Sequence, residues 1–170
     1  AGIVMLYSHW EGFIKNSSSY YLAFVKFRKL NYSELSTCLL TLAIKSKLVD
    51  TLNTNEHNEQ QRFVEFFTGE LNTRAKWNLD KAIDTKSNLN SGVLMNILSV
   101  LGIDNKDFEL KSNLIDSQLV KNRNTISHGN YFNMDKEEYS ELHKQIIRLM
   151  DIFFNEVTNQ VVLKKYKKSA

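Results

Sequence analysis

The sequence contains no proline and only six glycines among its 170 residues. Because these two residues interrupt helices most often, their scarcity favours long helices. The single cysteine, Cys38, excludes an internal disulfide and a thiolate metal site, and we expect it to be a small buried residue in a reducing compartment. No apolar run approaches the roughly 20 residues of a membrane span, and the first residues lack a secretion signal. We therefore expect a soluble, cytoplasmic protein.

What the sequence does contain is apolar surface, since 42% of its residues are hydrophobic. That is enough for one core, so we expect a single domain over residues 1–170. The 22 basic and 19 acidic residues give a net charge of +3, which permits a polyanionic partner without demanding one. The chain begins with Ala1 inside a helical pattern, so we expect a trimmed form or the ordered part of a longer protein.

Apolar residues recur three and four positions apart along most of the chain, which predicts an all-α fold. The predicted helices run from Ile3 to about Lys29, from Ser33 or Ser36 to about Leu48, from Glu59 to Gly69, from Asn90 or Ser91 to Leu101, from Ser112 to the segment around Gly129, and from Asp135 through Val161. The second helix reads as nearly all core with a serine hydroxyl as its cap. Gly69 and Gly102 are the predicted helix ends, and Phe63, Phe66 and Phe67 are expected on one side of their helix.

Three segments leave alternatives. Residues 70–90 hold either one irregular helix at about Ala75–Ile83 or a long loop carrying Trp77. The wide apolar stripe of the last helix, which includes Phe154, indicates either a central position in the bundle or a subunit interface. The basic tail, residues 163–170, is expected to be a solvated, frayed terminus rather than a nucleic-acid contact.

Motifs for several enzyme classes are missing. The sequence has no HExxH, paired CxxC, phosphate loop, GxGxxG or GxSxG motif. Its four histidines, which include His9, His57 and His143, lack the spacing of metal ligands, and His57 and His143 read as surface residues. We therefore expect neither a metal site nor a cofactor.

The segment "KNRNTISHGNYF", residues 121–132, concentrates polar side chains at a helix end that Gly129 is suited to close. At about 100° per residue, Asn124 and His128 share one face, as do Arg123 and Ser127, whereas Arg123 and His128 lie roughly 140° apart. One rigid helix would keep this arginine and histidine apart. They can meet if the helix unwinds at Gly129 or if the site combines two chains.

These residues have the chemistry for metal-free RNA cleavage. A histidine exchanges protons near neutral pH, and an arginine can bind a phosphate through two parallel hydrogen bonds. In such a reaction the ribose 2′-hydroxyl attacks the adjacent phosphate, His128 moves a proton, and Arg123 stabilises the developing charge. Asn124 could orient the imidazole. The alternative is a polar turn in which His128 caps the last carbonyls of its helix.

Two segments resemble the HEPN superfamily. "RNTISHG", residues 123–129, resembles the R-x4-6-H signature, in which a polar residue, here Asn124, commonly follows the arginine. "YSHWEGFIKNSSSYYLAFV", residues 7–25, resembles the first long helix of the prokaryotic MAE-type HEPN branch. Residues 53–90 carry no motif that supports the resemblance.

The resemblance implies an all-α, HEPN-like bundle with long first and last helices. Such proteins are usually homodimers in which two signature segments form a composite, metal-independent RNase site. Arg123, His128 and Asn124 would be its catalytic residues. Many relatives are toxins or antiviral defence effectors, which implies an RNA substrate and an antitoxin or other regulatory partner.

Other residues are weaker candidates for the same site. Glu11 is an expected supporting residue for His128 or Arg123, but a plain ion pair with Lys15 explains it equally well. Tyr131 is a candidate for stacking on a base, although packing into the protein is the common fate of such a residue. The remaining supporting candidates are Asn122, Ser127, Asn16 and, for RNA binding, Lys121. Trp10 belongs to the apolar stripe, which indicates core rather than a base platform.

Two other functions fit the same residues. One is a non-catalytic HEPN module that binds RNA, a nucleotide or a partner protein through this region. The other is a structural dimerisation module that acts with a further domain. Cleavage assays distinguish the non-catalytic module from an enzyme. The full-length gene product would show whether a further domain accompanies the dimerisation module.

Overall fold

The computed structural model describes residues 2–80 and 82–169. Within those residues the chain forms seven α-helices and no β-strand, so the all-α prediction with long first and last helices is confirmed. The helices are α1 (Gly2–Phe27), α2 (Thr37–Leu52), α3 (His57–Glu65), α4 (Ser91–Leu101), α5 (Lys106–Glu109), α6 (Lys121–Ser127) and α7 (Lys136–Val162). A 3₁₀ turn (Tyr32–Glu34) precedes α2, and π-helical segments follow α3 (Phe66–Glu70) and precede α6 (Leu114–Val120). No helix in the described ranges is long and apolar enough to cross a membrane.

The two long helices, α1 and α7, pack side by side and run parallel. At their N-terminal ends the Tyr139 hydroxyl donates to the Gly2 carbonyl at 3.5 Å. About three turns further on, the Phe13 and Phe153 rings meet edge to face with their centroids 6.4 Å apart. The apolar stripe of α7 is buried here, while Phe154 is exposed on the outer face of the helix. Both helices therefore begin at the same end of the bundle.

Local capping chemistry fixes the helix ends that the sequence predicts best. The Asn90 side chain accepts from the Val93 amide at the start of α4, and Gly102 ends that helix with φ +72°. Asp135 begins α7 in a capping box, accepting from the Glu138 amide at 2.7 Å while its own amide donates to the Glu138 carboxylate. These predicted starts and stops are confirmed.

The prediction for α2 is wrong in two respects. The Ser36 hydroxyl does not cap the helix but lies 3.3 Å from the Cys38 sulfur. Only Leu39 and Ile44 of α2 are buried, and Cys38 is half-buried against the core. An apolar sequence does not guarantee burial, because α2 lies at the edge of the bundle with much of its surface open.

Gly69 does not end its helix, contrary to the prediction. The chain passes through Gly69 in the π-helical segment that continues α3 to Glu70. Of the three phenylalanines expected on one side, only Phe66 is fully buried, and Phe67 is exposed. Gly69 has no positive φ, which explains why it does not act as a stop.

Residues 71–80 and 82–90 form the long loop, and no helix forms over the described part of Ala75–Ile83. The loop is anchored to the bundle, since the Ala75 amide donates to the Leu30 carbonyl at 2.9 Å and Ile83 and Leu89 are buried. Trp77 is half-buried against the core. The end of this loop contributes to the site described below.

The prediction of a frayed basic tail is wrong for the described residues up to 169. Tyr166 is only 2% exposed, and its ring meets Phe24 of α1 edge to face. Its carbonyl accepts from the Ser36 amide at 2.9 Å, and the Lys168 amide donates to the Glu34 carbonyl at 2.9 Å. One aromatic residue among the lysines is enough to fold the tail back onto the start of α2.

Candidate active site at the end of α6

The helical segment that carries the signature starts at Ser112, as predicted, and becomes α6 after a π-helical stretch. Leu114, Ile115, Leu119 and Val120 are buried and hold this segment against the core. The π-helical stretch, which the sequence did not predict, adds residues to the turn and therefore changes which side chains of α6 face the core. Such segments often occur at functional sites.

Gly129 ends α6 as predicted. Its φ is +74°, its amide donates to the Ile126 carbonyl at 3.0 Å, and the Asn130 amide donates to the Thr125 carbonyl at 3.1 Å. This pair of bonds is the Schellman motif, in which glycine adopts the left-handed conformation without a steric penalty. His128 is therefore the last residue before the chain leaves the helix.

Arg123 points toward α1 and the end of the long loop. Its Nη2 donates to the Ser87 carbonyl at 2.9 Å and lies 3.5 Å from the Asn88 side-chain oxygen. Its guanidinium carbon stands 4.0 Å from the centroid of the Tyr7 ring, a cation–π contact. Among the described residues no carboxylate forms an ion pair with it. The guanidinium is held by neutral groups and keeps its full charge.

Tyr7 connects this arginine to the loop. Its side chain is only 3% exposed, and its hydroxyl accepts from the Leu89 amide at 2.7 Å. Burial raises the pKa of the Tyr7 phenol, although the Leu89 amide and the Arg123 charge oppose that rise. The phenol therefore stays neutral at physiological pH. Sequence reasoning missed Tyr7, because it is one of several aromatic residues in the apolar stripe of α1.

His128 faces a different direction. It is exposed and lines a groove of about 550 Å³ together with Asn124 and Lys121 from α6. The opposite wall is the start of α4, where Asn90 and Ser91 line the groove. Asn124 and His128 thus share a face, as their spacing predicts, while Arg123 has its contacts elsewhere.

Asp116 fixes the wall of this groove. Its two carboxylate oxygens accept from the Ser91 amide at 2.7 Å and from the Ser91 hydroxyl at 2.6 Å. This pair of bonds joins the start of α4 to the π-helical segment before α6. Sequence reasoning did not find Asp116, since nothing local marks an aspartate whose partner lies 25 residues earlier.

The predicted orientation of His128 by Asn124 does not occur in this structure. The His128 backbone amide donates to the Asn124 carbonyl at 3.0 Å, but no side-chain hydrogen bond joins the two among the described residues. The imidazole is therefore free to rotate within the exposed end of the helix. Any orienting contact with Asn124 requires movement or a bound ligand.

The supporting candidates are dispersed. Glu11 has one buried carboxylate oxygen without a partner, and it forms no ion pair with Lys15 within the described chain. Asn122 donates to the Gln118 carbonyl at 2.8 Å, a bond within its own helical segment. Ser127 is exposed at the end of α6. None of these residues contacts His128 in the described structure.

Tyr131 is 90% exposed, so the expectation that it packs into the protein is wrong. It stands three residues after His128 with its ring surrounded by solvent. An exposed aromatic ring is accessible for stacking on an unpaired base. Trp10 is fully buried, as expected for core.

The described residues contain no group of three or more histidine, cysteine, aspartate or glutamate side chains arranged to hold a metal ion. His57 and His143 are exposed, in agreement with their reading as surface residues. The groove is lined by hydroxyls, amides, one lysine, one histidine and the carboxylate of Asp116, which is engaged by Ser91. Such a set can bind a polyanion and move protons.

Comparison with known proteins identifies the family. The family model described as RiboL-PSP-HEPN matches residues 1–159. No curated protein and no solved structure shows a significant match to the chain. The assignment to the MAE-type branch stays a prediction, because the match does not bear on it. Since the matched region covers nearly the whole sequence, the chain belongs to the RiboL-PSP-HEPN family of the HEPN superfamily, whose members commonly bind RNA, dimerise and act as nucleases.

Proposed function

We propose that this protein is a metal-independent endoribonuclease that cleaves RNA by attack of the ribose 2′-hydroxyl on the adjacent phosphate. The observation that carries the proposal is the state of Arg123. Its guanidinium is fixed by neutral acceptors and an aromatic ring, and no carboxylate of the described residues pairs with it. A charge kept in this way is available to a phosphate.

His128 supplies the proton transfer in this proposal. It is exposed beside a groove, at the end of α6. Arg123 stabilises the charge that develops on the phosphoryl oxygens, and Asn124 orients the imidazole once RNA fills the groove. Lys121 and the exposed Tyr131 bind the RNA on either side of the reacting phosphate.

The proposed site combines two chains. Within one chain Arg123 faces α1 while His128 faces the groove. A two-fold dimer that brings both signature segments to one cleft would let the arginine of one chain act with the histidine of the other. The face that carries His128 and Tyr131 is exposed and can take part in such a contact.

The first experiment incubates the purified protein with RNA in EDTA and examines the product ends. We expect 2′,3′-cyclic phosphates and a loss of at least about 100-fold in rate for His128→Ala, the usual contribution of general acid or base catalysis. His57→Ala is the matched control, because His57 is an exposed histidine on α3. Cleavage that survives His128→Ala, or that requires a divalent metal, would contradict the mechanism.

The second experiment tests whether the site is composite. Arg123→Ala and His128→Ala proteins are each inactive in this proposal, but mixed dimers contain one intact Arg123 and His128 pair. If the chains exchange freely, half of the dimers are mixed and each has one of two sites intact, so about a quarter of the wild-type activity should return. A mixture that stays inactive while the chains demonstrably exchange would place both residues of each site in one chain.

We further propose that the biological role is that of a toxin or antiviral defence effector restrained by an antitoxin or other regulatory partner. This role rests on the behaviour of HEPN relatives. Expression of the wild-type chain in a bacterial host should arrest growth and degrade cellular RNA, whereas His128→Ala should not. Equal growth with both proteins would argue against a toxic ribonuclease.

A non-catalytic RNA-binding module is the second candidate. Two observations favour it: the Arg123 Nη2 is already engaged by the loop, and Asn124 makes no side-chain bond to His128. In this case wild type and His128→Ala would bind RNA alike and neither would cut. The first experiment above separates the two functions.

A further inference from the structure

Three residues contact the guanidinium of Arg123, and a fourth holds one of them in place. We call these residues the Arg123 cradle: Tyr7, Ser87, Asn88 and Leu89. Tyr7 offers its ring at 4.0 Å, and the Ser87 carbonyl accepts a hydrogen bond at 2.9 Å. Asn88 adds a weaker contact at 3.5 Å through its side-chain oxygen. Leu89 contributes its backbone amide, which donates to the Tyr7 hydroxyl at 2.7 Å.

The last of these bonds makes the cradle one unit. The ring and the carbonyl that contact the guanidinium come from Tyr7 of α1 and Ser87 of the loop, two residues more than 70 positions apart in sequence. The Tyr7–Leu89 bond joins them directly, and both residues are buried. A shift of the loop would therefore break a buried hydrogen bond as well as the contact with Arg123.

The loop is also held in an unfavourable backbone conformation. Lys86 and Ser87 have φ values of +54° and +52°, although neither is a glycine. Such residues cost on the order of 1 kcal/mol or more each and persist only where other contacts impose them. Here the contacts are the Lys86 amide donating to Asp84 at 2.8 Å and the Asn88 amide donating to the Thr85 carbonyl at 3.0 Å. The strained turn presents the Ser87 carbonyl to Arg123.

The cradle leaves most of the guanidinium unused. Arginine has five N–H donors, and the cradle takes hydrogen bonds from Nη2 alone. Nε is buried without a partner among the described residues, so only the terminal Nη donors can reach a phosphate. Glu11 lies close enough for its charge to act on the Tyr7 phenol, yet among the described residues it forms no ion pair with Arg123. No carboxylate of the described chain therefore competes with a phosphate for this guanidinium.

We propose that Tyr7 is a positioning residue whose ring, together with the loop that its hydroxyl holds at Leu89, fixes Arg123 to bind one phosphate of an RNA backbone. The inference rests on the proposed function, and it adds how the arginine is aimed. Fixing a long side chain before binding removes the entropy cost of ordering it when the phosphate arrives.

The test measures binding separately from cleavage. An RNA oligonucleotide with 2′-O-methyl groups lacks the attacking hydroxyl, so its Kd can be measured with every variant over a range of salt concentrations. Arg123→Ala should lower the slope of log K against log salt by about 0.7, the value for one phosphate contact with a single strand. Tyr7→Leu should lower the slope similarly, and the double variant should show no further decrease.

Two further variants test the parts of the cradle. Tyr7→Phe keeps the ring but removes the acceptor of the Leu89 amide, so it should weaken binding less than Tyr7→Leu does. Asn88→Ala should weaken binding two- to threefold, roughly the effect of losing one weak hydrogen bond. Asn58→Ala on the exposed face of α3 is its matched control and should bind like wild type.

The outcomes separate the two proposals. If wild type cleaves RNA but the Tyr7 and Asn88 variants keep the wild-type affinity and salt slope, the positioning role is wrong and the ribonuclease stands. If wild type does not cleave but Tyr7→Leu and Arg123→Ala weaken binding alike and non-additively, the positioning role stands and the ribonuclease is wrong. Additive effects of the two substitutions would show that Tyr7 acts on stability rather than through Arg123.

Discussion

Gly102 and Gly129 end two helices with nearly the same backbone conformation, φ +72° and +74°. In both cases the next residue closes the turn, Ile103 onto the Leu98 carbonyl and Asn130 onto the Thr125 carbonyl. Their surroundings are opposite. A Cβ on Gly102 would lie 2.8 Å from the Cys38 sulfur, whereas a Cβ on Gly129 would have nothing within 4 Å.

The same helix-ending turn therefore lies in two different environments. At the Gly102 end the helix stops against the core, where Gln160 donates to the Gly102 carbonyl and the next residue, Ile103, is buried. At the Gly129 end it stops in solvent, and His128 and Tyr131 are left exposed. Substitutions at the first end should therefore change stability, and those at the second should change function.

The largest effect on stability is expected for Gly102→Ala. The left-handed conformation and the contact with Cys38 each add a penalty, together about 3 kcal/mol in the free energy of unfolding measured with urea. Cleavage by the folded fraction should be unchanged. Adding Cys38→Ala should recover part of the loss, because the methyl group then has room. A loss below about 1 kcal/mol would mean that the neighbouring chain relaxes more easily than the packing implies.

The next effect is expected for Gln160→Met. Gln160 is 2% exposed, and its Nε2 donates to the Gly102 carbonyl at 3.2 Å. Methionine keeps the volume but leaves that carbonyl without its donor, so the free energy of unfolding should fall by about 1.5 kcal/mol. Gln61→Met on the exposed face of α3 is the matched control and should change the stability little.

Gly129→Ala is expected to lower activity more than stability, which is the opposite of Gly102→Ala. Only the left-handed conformation is penalised, so the free energy of unfolding should fall by about 1 kcal/mol. Cleavage should fall roughly tenfold, because the turn sets where His128 and Tyr131 point and small displacements are costly in catalysis. A stability loss like that of Gly102→Ala, with full activity, would remove the distinction between the two ends.

The smallest effect concerns pH and two buried tyrosines of α1. Burial raises the pKa of Tyr21, which lies beside Cys38 and Tyr166, and also that of Tyr7 beside Arg123. Near pH 10 a tyrosine ionises in the unfolded chain more readily than these two do in the folded protein. Unfolding then releases protons, so their contribution to stability is complete below about pH 10 and decreases above it. The loss should be about 0.4 kcal/mol for Tyr21 at pH 10.

Tyr21→Phe tests this pH dependence. The Tyr21 hydroxyl is buried without a hydrogen-bond partner, so its removal should flatten the alkaline decrease without cost at neutral pH. Tyr7→Phe should also flatten it but should cost stability at neutral pH, because the Leu89 amide loses its acceptor. Identical neutral-pH stabilities for the two variants would contradict the difference in their bonding.

Helix ends were predictable from sequence where the capping chemistry is local. Asn90, Gly102, Gly129 and the pair Asp135 and Glu138 each satisfy backbone groups within five residues. Burial was less predictable. Tyr166 reads as part of a charged tail, and only the distant Phe24 and Ser36 make it core. Burial was also hard to predict for α2, because the surrounding helices cover only part of its apolar surface.

At the candidate site, too, local contacts could be predicted from sequence and long-range contacts could not. Spacing along one helix was enough to predict that Asn124 faces the same side as His128 and that Arg123 does not. The contacts of Arg123 with Tyr7 and Ser87 could not be predicted, since they depend on a loop without helical periodicity. Asp116 was missed for the same reason, because its partner Ser91 belongs to another helix.

The parallel arrangement of α1 and α7 has a consequence for how the chain is made. Gly2 bonds to Tyr139, a partner 137 residues away, so α1 has no main neighbour until α7 has been synthesised. Closing so long a loop costs entropy that only the finished bundle repays, which slows folding for a helical protein. During translation the side of α1 that packs against α7 therefore stays uncovered until after the signature segment has been made.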